Sequence, residues 1–488
     1  MKRSFFSILI LALSISVFAS GEKPSSVPAK GYAIKIKLNG LKDTTCYLAY
    51  HFGDKQYLKD TAKVDSKGNM VFDGKEKLQG GIYLVVLPNK TNFEFLVVEG
   101  QQFFSLETDT AKMIEKMKVS GSKENETFFG FLNFLGKKTK DAEPYLDGYK
   151  RNKDKNKDSV KYFQDKLNEV EKQVKAQRIK VIEENPGSLV SKIFKASTEL
   201  EIPETPTLPD GKKDSTFAYR WMKQHYFDNV DFADDRILRT PLLQSKIKYY
   251  LDNLTVQAPD SINKSADFIV TKSQANKDVF KFCVWNITNT YETSNIMGMD
   301  AIFVHMAEAY YLSGKAFWID STVKAKIRER YETLKPLLIG KKAPALSLPD
   351  TANHFHDLYK QPGKFTILYF WDPNCGHCQK ETPKLNDFYK ENKDKRSVSI
   401  YSVSTDHPSD WKKYVREKGL VFLNVCNAIG DKTVYYDLRK GYDVYSTPTI
   451  FVLNEKKEII AKKLGVEQLG EFIDNYSKMM EEREKKKK

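Results

Sequence analysis

Short runs of alternating apolar and polar residues fill the first part of the chain. Ile34, Ile36 and Leu38 alternate with lysines, and turn-forming residues at Asn39-Gly40 and 66–69 separate this run from similar ones. A period of two is typical of β-strands that have one buried face. We therefore expect an all-β, sandwich-like domain over residues 31–109, most simply a small antiparallel sandwich or barrel.

The apolar spacing then changes to three and four, which is typical of amphipathic helices. The clearest stripe consists of Val160, Phe163, Leu167, Val170 and Val174. We favour packing of this stripe against a central α-helical domain, predicted over 159–335, and dimerisation through it is the alternative. A lysine-rich stretch at 136–158 precedes the stripe and has almost no aliphatic residues. It is predicted to be a linker or an exposed lead-in to a helix.

From residue 340 to 480 predicted strands alternate with predicted helices. This order favours an α/β domain whose mixed or parallel sheet is covered on both faces. The last residues, 481–488, form a charged tail that we expect to be solvated and frayed. The predicted fold class is thus multidomain, with an all-β, an α-helical and an α/β part.

Composition and charge narrow the classes of function. The chain has 488 residues, of which 41% are hydrophobic, so it can form several cores and is not a disordered chain. Lysine and arginine number 79 against 64 acidic residues, a net charge of +15, but the lysines are scattered among acids. Without a basic patch interleaved with aromatic residues, we expect no nucleic-acid partner. Five cysteines are too few for a disulfide scaffold.

The first twenty residues have the pattern of a secretory signal. Lys2 and Arg3 precede an apolar run over 5–18, and small residues follow at Ala19-Ser20-Gly21. We predict a cleaved signal peptide over 1–20, and an uncleaved N-terminal anchor is the alternative.

The candidate chemistry lies in Cys375-Gly376-His377-Cys378, which follows the strand-like run 365–371. Two cysteines separated by two residues at the start of a helix can close a small disulfide. The positive end of the helix dipole favours a thiolate at Cys375, and thiolate is the nucleophile in disulfide exchange. An imidazolium at His377 stabilises the reduced form and makes the couple more oxidising.

Two other uses of this cysteine pair are less consistent with its surroundings. A zinc site needs a second pair of ligands, but Cys426 stands alone, and His354 and His356 have no finger-like spacing. An inert structural disulfide would not require the strand-to-helix position. We therefore predict no metal and no cofactor. Cys426 is interpreted as a buried free thiol, with a third redox cysteine as the alternative.

The segment 340–480 resembles the thioredoxin superfamily and, within it, the TlpA/ResA-like bacterial thiol-disulfide oxidoreductases. The resemblance rests on five matching features: Phe370-Trp371, the Cys-Gly-His-Cys sequence, Glu381, Pro383 and Thr447-Pro448-Thr449. It implies that Cys375 attacks, that Cys378 resolves, and that Pro448 is a cis-proline facing the disulfide. A cis bond there leaves the Thr447 backbone free to pair with an extended substrate, whereas a trans Pro448 in an edge strand is the alternative.

One position departs from thioredoxin itself. A buried aspartate stands six residues before the first cysteine in thioredoxin, and here that position is Tyr369. Glu381 matches the glutamate of the TlpA/ResA-like proteins and is the candidate to exchange a proton with Cys378. Its alternative role is that of an ordinary acidic residue in the first part of a helix. Packing is the default role of Trp371.

Together these features predict a periplasmic enzyme that exchanges disulfides with protein thiols. A thiol partner in the membrane is expected to return its cysteine couple to the starting redox state. A thiol-dependent peroxidase is one alternative, although such enzymes have Thr three residues before the reactive cysteine, and this chain has Asp372 at that position. The other alternative is a substrate-binding protein in which residues 31–335 do the work and the disulfide is regulatory.

Overall fold

A computed structural model describes residues 31–153, 156–405, 408–429 and 433–486. The described residues form two compact units, which meet in the sequence between Phe194 and Lys195. The signal peptide predicted over residues 1–20 lies outside the described residues. Among the helices of the described residues, none combines the length and the apolar character needed to cross a membrane.

The described part of the first unit begins with eight strands in two four-stranded sheets. They are β1 (Tyr32–Asn39), β2 (Thr44–Phe52), β3 (Lys55–Val64), β4 (Asn69–Gly74), β5 (Gly81–Val86), β6 (Asn92–Val97), β7 (Phe103–Asp109) and β8 (Lys118–Ser120). The strand orders are β4-β1-β7-β8 and β3-β2-β5-β6. Alternate residues of both sheets enter one hydrophobic cluster, for example Ile34 and Phe104 from the first and Leu48 and Phe95 from the second. The predicted sandwich-like β domain is confirmed.

One strand pair differs from the antiparallel arrangement expected. β1 and β7 run parallel, in register from Ala33 with Phe103 to Asn39 with Asp109. A period of two shows which face of a strand is buried, but it carries no information about the direction of the neighbouring strand.

Two long helices follow the strands, and they exclude the linker, which was one of the two alternatives predicted for residues 136–158. α1 spans Lys123–Asn152 and α2 spans Lys157–Glu184, so most of the lysine-rich stretch is helical. Lysine and glutamate are strong helix formers, and the partner helix supplies the packing that the sequence of this stretch lacks. At Gly148 an added Cβ would lie 2.3 Å from the ring of Phe163, so the glycine allows the close approach of α1 and α2.

The C-terminal part of α2, which includes Val174 of the predicted stripe, packs against the β domain. Val174, Val181 and Ile182 of α2 pack into the hydrophobic cluster of the β domain. The start of α1 is tied to the same domain, because the Asn125 side chain bonds both the backbone N–H and the carbonyl of Leu96 at 2.7 Å. Part of α2 thus packs against the β domain, because a stripe defines a buried face without defining its partner. The predicted start of the helical domain at residue 159 stays a prediction.

The second unit opens with a helical region. It follows α3 (Leu189–Ala196), most of which belongs to the first unit and packs Leu189, Val190 and Phe194 into its hydrophobic cluster. The helices of this region are α4 (Phe217–His225), α5 (Leu242–Asn253), α6 (Pro259–Ser273), α7 (Lys277–Glu292), α8 (Asp300–Met306) and α9 (Ser321–Leu334). A π-helical turn, Ala307–Leu312, continues α8. Cys283 of α7 is fully buried, and burial raises the pKa of its thiol to about 12.

The C-terminal part is an α/β domain. Its strands are β9 (Ser347–Pro349), β10 (Phe355–Asp357), β11 (Phe365–Trp371), β12 (Val398–Ser404), β13 (Leu423–Cys426), β14 (Ala428–Ile429), β15 (Thr433–Val434), β16 (Thr449–Asn454) and β17 (Ile459–Lys462). Its helices are α10 (Gly376–Asn392), α11 (Pro408–Glu417), α12 (Leu438–Tyr442) and α13 (Leu469–Lys485). Residues 481–485 of the predicted charged tail are thus helical rather than frayed, since glutamate, arginine and lysine favour helix.

A mixed five-stranded sheet, ordered β13-β12-β11-β16-β17, forms the centre of this domain. β11 runs parallel to β12 and antiparallel to β16. All seven residues of β11 are buried, and alternate ones enter two different hydrophobic clusters, with Trp371 in one and Phe370 in the other. The sheet is therefore covered on both faces, as predicted. β11 lies in the middle of the core, and the cysteine pair follows directly after it.

Candidate active site

The cysteine pair lies where β11 ends and α10 begins. A turn forms first, in which the Cys375 N–H donates to the Asp372 carbonyl at 3.1 Å and the Asn374 N–H donates to the Asp372 side chain at 2.8 Å. Cys375 then takes the N-cap position of α10, with extended backbone angles. It is partly exposed, whereas Cys378 is fully buried one turn further along the helix. The two thiols thus face different environments although only two residues separate them.

Their surroundings move the two thiol pKa values in opposite directions. Burial by itself raises the pKa of Cys375, but hydrogen bonds from the Cys378 backbone and thiol, from Thr447 and from the His377 backbone outweigh it. The net pKa of Cys375 is lowered, as expected at a helix N-terminus. For Cys378 burial dominates and raises the pKa to about 12, although the Asp372 N–H approaches its sulfur at 3.5 Å. Cys375 is therefore the more readily ionised thiol.

The segment that faces Cys375 comes from the start of β16. The Cys375 thiol donates to the Thr447 carbonyl at 3.4 Å, and the Thr447–Pro448 peptide bond is cis, as the family resemblance implies. A substrate that reaches the Cys375 sulfur must therefore pass alongside Thr447 and Pro448.

Glu381 lies one turn beyond Cys378 on α10, but its carboxylate is engaged elsewhere. It accepts a hydrogen bond from Lys384 at 2.9 Å, and the same ammonium bonds Glu467 at 2.7 Å. Among the described residues no hydrogen bond joins Glu381 to Cys378. A proton can pass between them only if the carboxylate moves or a water bridges the gap.

Tyr369, which replaces the buried aspartate of thioredoxin, lies below the site. Its hydroxyl is 2.9 Å from the hydroxyl of Thr382. Burial raises its pKa well above the ordinary value, and the nearby Cys378 and Glu381 add to that effect. Tyr369 therefore remains protonated and supplies a hydrogen-bonding group rather than a base.

The remaining predicted site residues surround the pair. Trp371 is fully buried and stacks on Tyr369, with 6.3 Å between ring centroids, which fits its predicted packing role. His377 is exposed on the rim. A Cβ added to Gly376 would meet no atom within 4 Å, so the surface above the pair is open to a partner.

The other cysteine considered from the sequence, Cys426, belongs to the hydrophobic cluster that also contains Cys378, and His356 lies on a separate small sheet. Cys426 is buried, 2% exposed, at the end of β13. His356 bonds Asp350 at 2.8 Å on the small sheet of β9 and β10. Within the described ranges no group of three or more potential ligands could hold a metal ion.

Sequence reasoning assigned no role to the helical region, yet part of it lies beside the site. The loop 293–299, between α7 and α8, lines a cleft of about 720 Å³ together with His377, Glu381 and Pro448. No motif in this loop distinguishes it from an ordinary helix connection, so only the folded chain reveals it.

A partly exposed cysteine at a helix N-cap, a buried second cysteine and a facing cis-proline, all on a mixed sheet, define a thioredoxin-like thiol-disulfide oxidoreductase. Comparisons with known proteins agree with this class of protein. A family model described as the AhpC/TSA family matches residues 339–462. Two models described as domains of unknown function, DUF5106 and DUF4369, match residues 153–336 and 32–128.

Known proteins that are similar to the C-terminal domain carry the names of thiol-disulfide oxidoreductases. Sporulation thiol-disulfide oxidoreductase A of Bacillus subtilis is 31% identical over 138 residues, which are 27% of this chain and 79% of that protein. Thiol-disulfide oxidoreductase ResA of Bacillus anthracis is 30% identical over 141 residues, 29% of this chain and 77% of that protein. A crystal structure of a domain of a possible thiol-disulfide isomerase from Cytophaga hutchinsonii is 40% identical and covers 30% of this chain and 97% of its own, with a TM-score of 0.28. Through its C-terminal domain the chain belongs to the family of thiol-disulfide oxidoreductases that includes these Bacillus proteins.

Proposed function

We propose that this chain is a periplasmic enzyme that exchanges disulfides with protein thiols through Cys375 and Cys378. The observation that carries the proposal is the placement of the two thiols: Cys375 is accessible at the N-cap of α10 beside the cis Thr447–Pro448 bond, and Cys378 is buried one turn further along. The pKa values, lowered at Cys375 and raised at Cys378, agree with these roles. The accessible thiol is thereby prepared for attack on a partner, while the buried thiol is held back until a mixed disulfide exists.

The first step is attack of the Cys375 thiolate on one sulfur of a substrate disulfide. The substrate S–S bond breaks, its other sulfur leaves as a thiolate, and a mixed disulfide forms between Cys375 and the substrate. Contact of the Cys375 thiol with the Thr447 carbonyl, together with Pro448, positions this sulfur at the surface where a substrate strand can lie.

The second step is resolution by Cys378. Cys378 loses its proton and attacks the Cys375 sulfur, the mixed disulfide breaks, and the substrate leaves as its second thiolate. The substrate has then gained two electrons and the enzyme carries a Cys375–Cys378 disulfide. We assign the removal of the Cys378 proton to Glu381, which first has to leave its ion pair with Lys384.

The oxidised pair needs two electrons and two protons to return to the dithiol state. We propose a dithiol protein of the membrane as their source, and the same steps in reverse oxidise a substrate. The periplasmic location rests on the signal-like pattern of residues 1–20.

The experiment that tests this function is trapping with a Cys378→Ala variant in cells. We expect discrete covalent adducts through Cys375, which a reducing agent releases, and none in a Cys375→Ser variant. Cell fractionation and the N-terminal mass of the protein test the location and the removal of residues 1–20. Absence of adducts together with rapid consumption of hydrogen peroxide would favour the peroxidase. Survival of the gene's phenotype without residues 340–488 would favour the binding protein.

A further inference from the structure

The loop 293–299 belongs to the helical region, but it forms a wall beside the redox-active turn. The cleft that it lines has a volume of about 720 Å³, and its opposite wall includes His377, Tyr445 and Pro448. Volumes in this range are typical of binding sites in proteins. The helical region and the reactive cysteine therefore share one continuous surface.

Ion pairs and a backbone contact hold this wall in place. The buried Lys462, at the end of β17, pairs with Asp300 at the start of α8, and its N–H approaches the sulfur of Met297 at 3.4 Å. Arg330 of α9 pairs with Asp443, with one N–O distance of 3.3 Å. Because Lys462 is almost entirely shielded from water, breaking its pair is costly. The wall is part of the folded second unit rather than a loose tether.

The rim of the cleft exposes large apolar side chains from both walls. Ile296 is 64% exposed, Met297 40% and Tyr445 69%. Single exposed apolar residues are common on proteins, but a group of them beside a pocket marks a surface that binds another molecule. Methionine in particular adapts its shape to different apolar partners.

We propose that this cleft binds the polypeptide segment that flanks the substrate cysteine and selects segments with bulky apolar residues there. This inference rests on the proposed function, because a substrate must bring its sulfur to Cys375, which is next to Thr447 and Pro448. Because Pro448 and His377, the chain neighbours of Thr447 and Cys378, line the cleft, an extended segment bound at Cys375 brings its flanking residues to the cleft. Ile296, Met297 and Tyr445 contact those residues.

The test compares three disulfide substrates on the full chain. Two are peptides with the same disulfide, one flanked by leucine and phenylalanine and the other by serine and glycine. The third is a small aromatic disulfide without a peptide. We expect the wild type to prefer the apolar peptide, and an Ile296→Ser/Met297→Ser variant to lower the kcat/KM ratio of apolar peptide to small disulfide about tenfold. Val256→Ser is the matched control, because Val256 is 62% exposed and lies outside the cleft, and it leaves the ratio unchanged.

Three results would overturn the inference. If the wild type reduces the small disulfide, and the kcat/KM ratio of apolar peptide to small disulfide is the same in the wild type and the double variant, the loop has no role in selection. The proposed function would then remain intact. A dimer in solution that Ile296→Ser/Met297→Ser converts to monomer would show that a second copy occupies the cleft. If the wild type reduces none of the three substrates through Cys375, the proposed function fails and the inference fails with it.

Discussion

The thiol of Cys375 donates to the carbonyl of Thr447 at 3.4 Å, across 72 residues of sequence. This contact joins the start of α10 to the start of β16 and brings the reactive sulfur next to the cis Thr447–Pro448 bond. One side of the site is thus a helix N-terminus, which favours a thiolate, and the other is an extended segment that can lie beside a substrate strand.

Alkylation at different pH values should separate the two thiols. In the reduced wild type we expect Cys375 to react with iodoacetamide with a midpoint below the ordinary thiol pKa, because its hydrogen bonds stabilise the thiolate. Cys378 should stay unreactive until the pH approaches its raised pKa of about 12. Mass spectrometry of the modified peptides measures each site by itself. A Cys378 midpoint at or below that of Cys375 would contradict the assignment of roles.

Glu381→Gln should slow resolution of the mixed disulfide rather than its formation. The amide cannot accept the Cys378 proton, and loss of such a group slows a step by about a hundredfold or more. Rapid-quench measurement of the mixed disulfide in a single turnover resolves the two steps. Lys384→Met is the matched control, since it removes the partner of Glu381 but keeps the carboxylate. Equal resolution rates in Glu381→Gln and wild type would leave Glu381 as an ordinary acid of the helix.

Substitution of His377 should make the cysteine couple more reducing. His377→Ala removes the imidazole side chain but keeps the backbone N–H that stabilises the Cys375 thiolate, whereas His377→Pro removes both. We expect each to lower the reduction potential, His377→Pro by more, with shifts on the order of 30 mV for each tenfold change in equilibrium. Equilibration with glutathione buffers measures both potentials. If both variants had the reduction potential of the wild type, His377 would have no role in setting the potential of the cysteine couple.

Asp300→Ala should destabilise the second unit more than Lys462→Met. Loss of Asp300 leaves the ammonium of Lys462 buried and uncompensated, at a cost of about 3 kcal/mol, whereas Asp300 is partly solvated and tolerates loss of its partner better. The double variant should recover most of the loss. All five tryptophans of the chain lie beyond residue 194, so fluorescence during urea denaturation reports on this unit. A double variant no more stable than Asp300→Ala would contradict the buried-charge explanation.

Local patterns in the sequence predicted the parts of this protein that depend on local physics. The alternation at Ile34, Ile36 and Leu38 predicts a strand, because successive side chains of a strand point to opposite faces. Cys375 and Cys378 are three positions apart after a buried strand, so one helical turn suffices to bring them together. The three-part fold class and the candidate redox pair followed from such patterns, with the family resemblance to support them.

Tertiary structure decided what depends on partners that are distant in the sequence. It made a helix of most of the lysine-rich stretch 136–158, because α2 supplied the apolar contacts that this stretch lacks. The tertiary structure also placed Thr447 opposite Cys375, paired Glu381 with Lys384, and brought the loop 293–299 to the edge of the site. A sequence pattern specifies which face of an element is buried, but not which element covers it, and that is why the second wall of the cleft appears only in the folded chain.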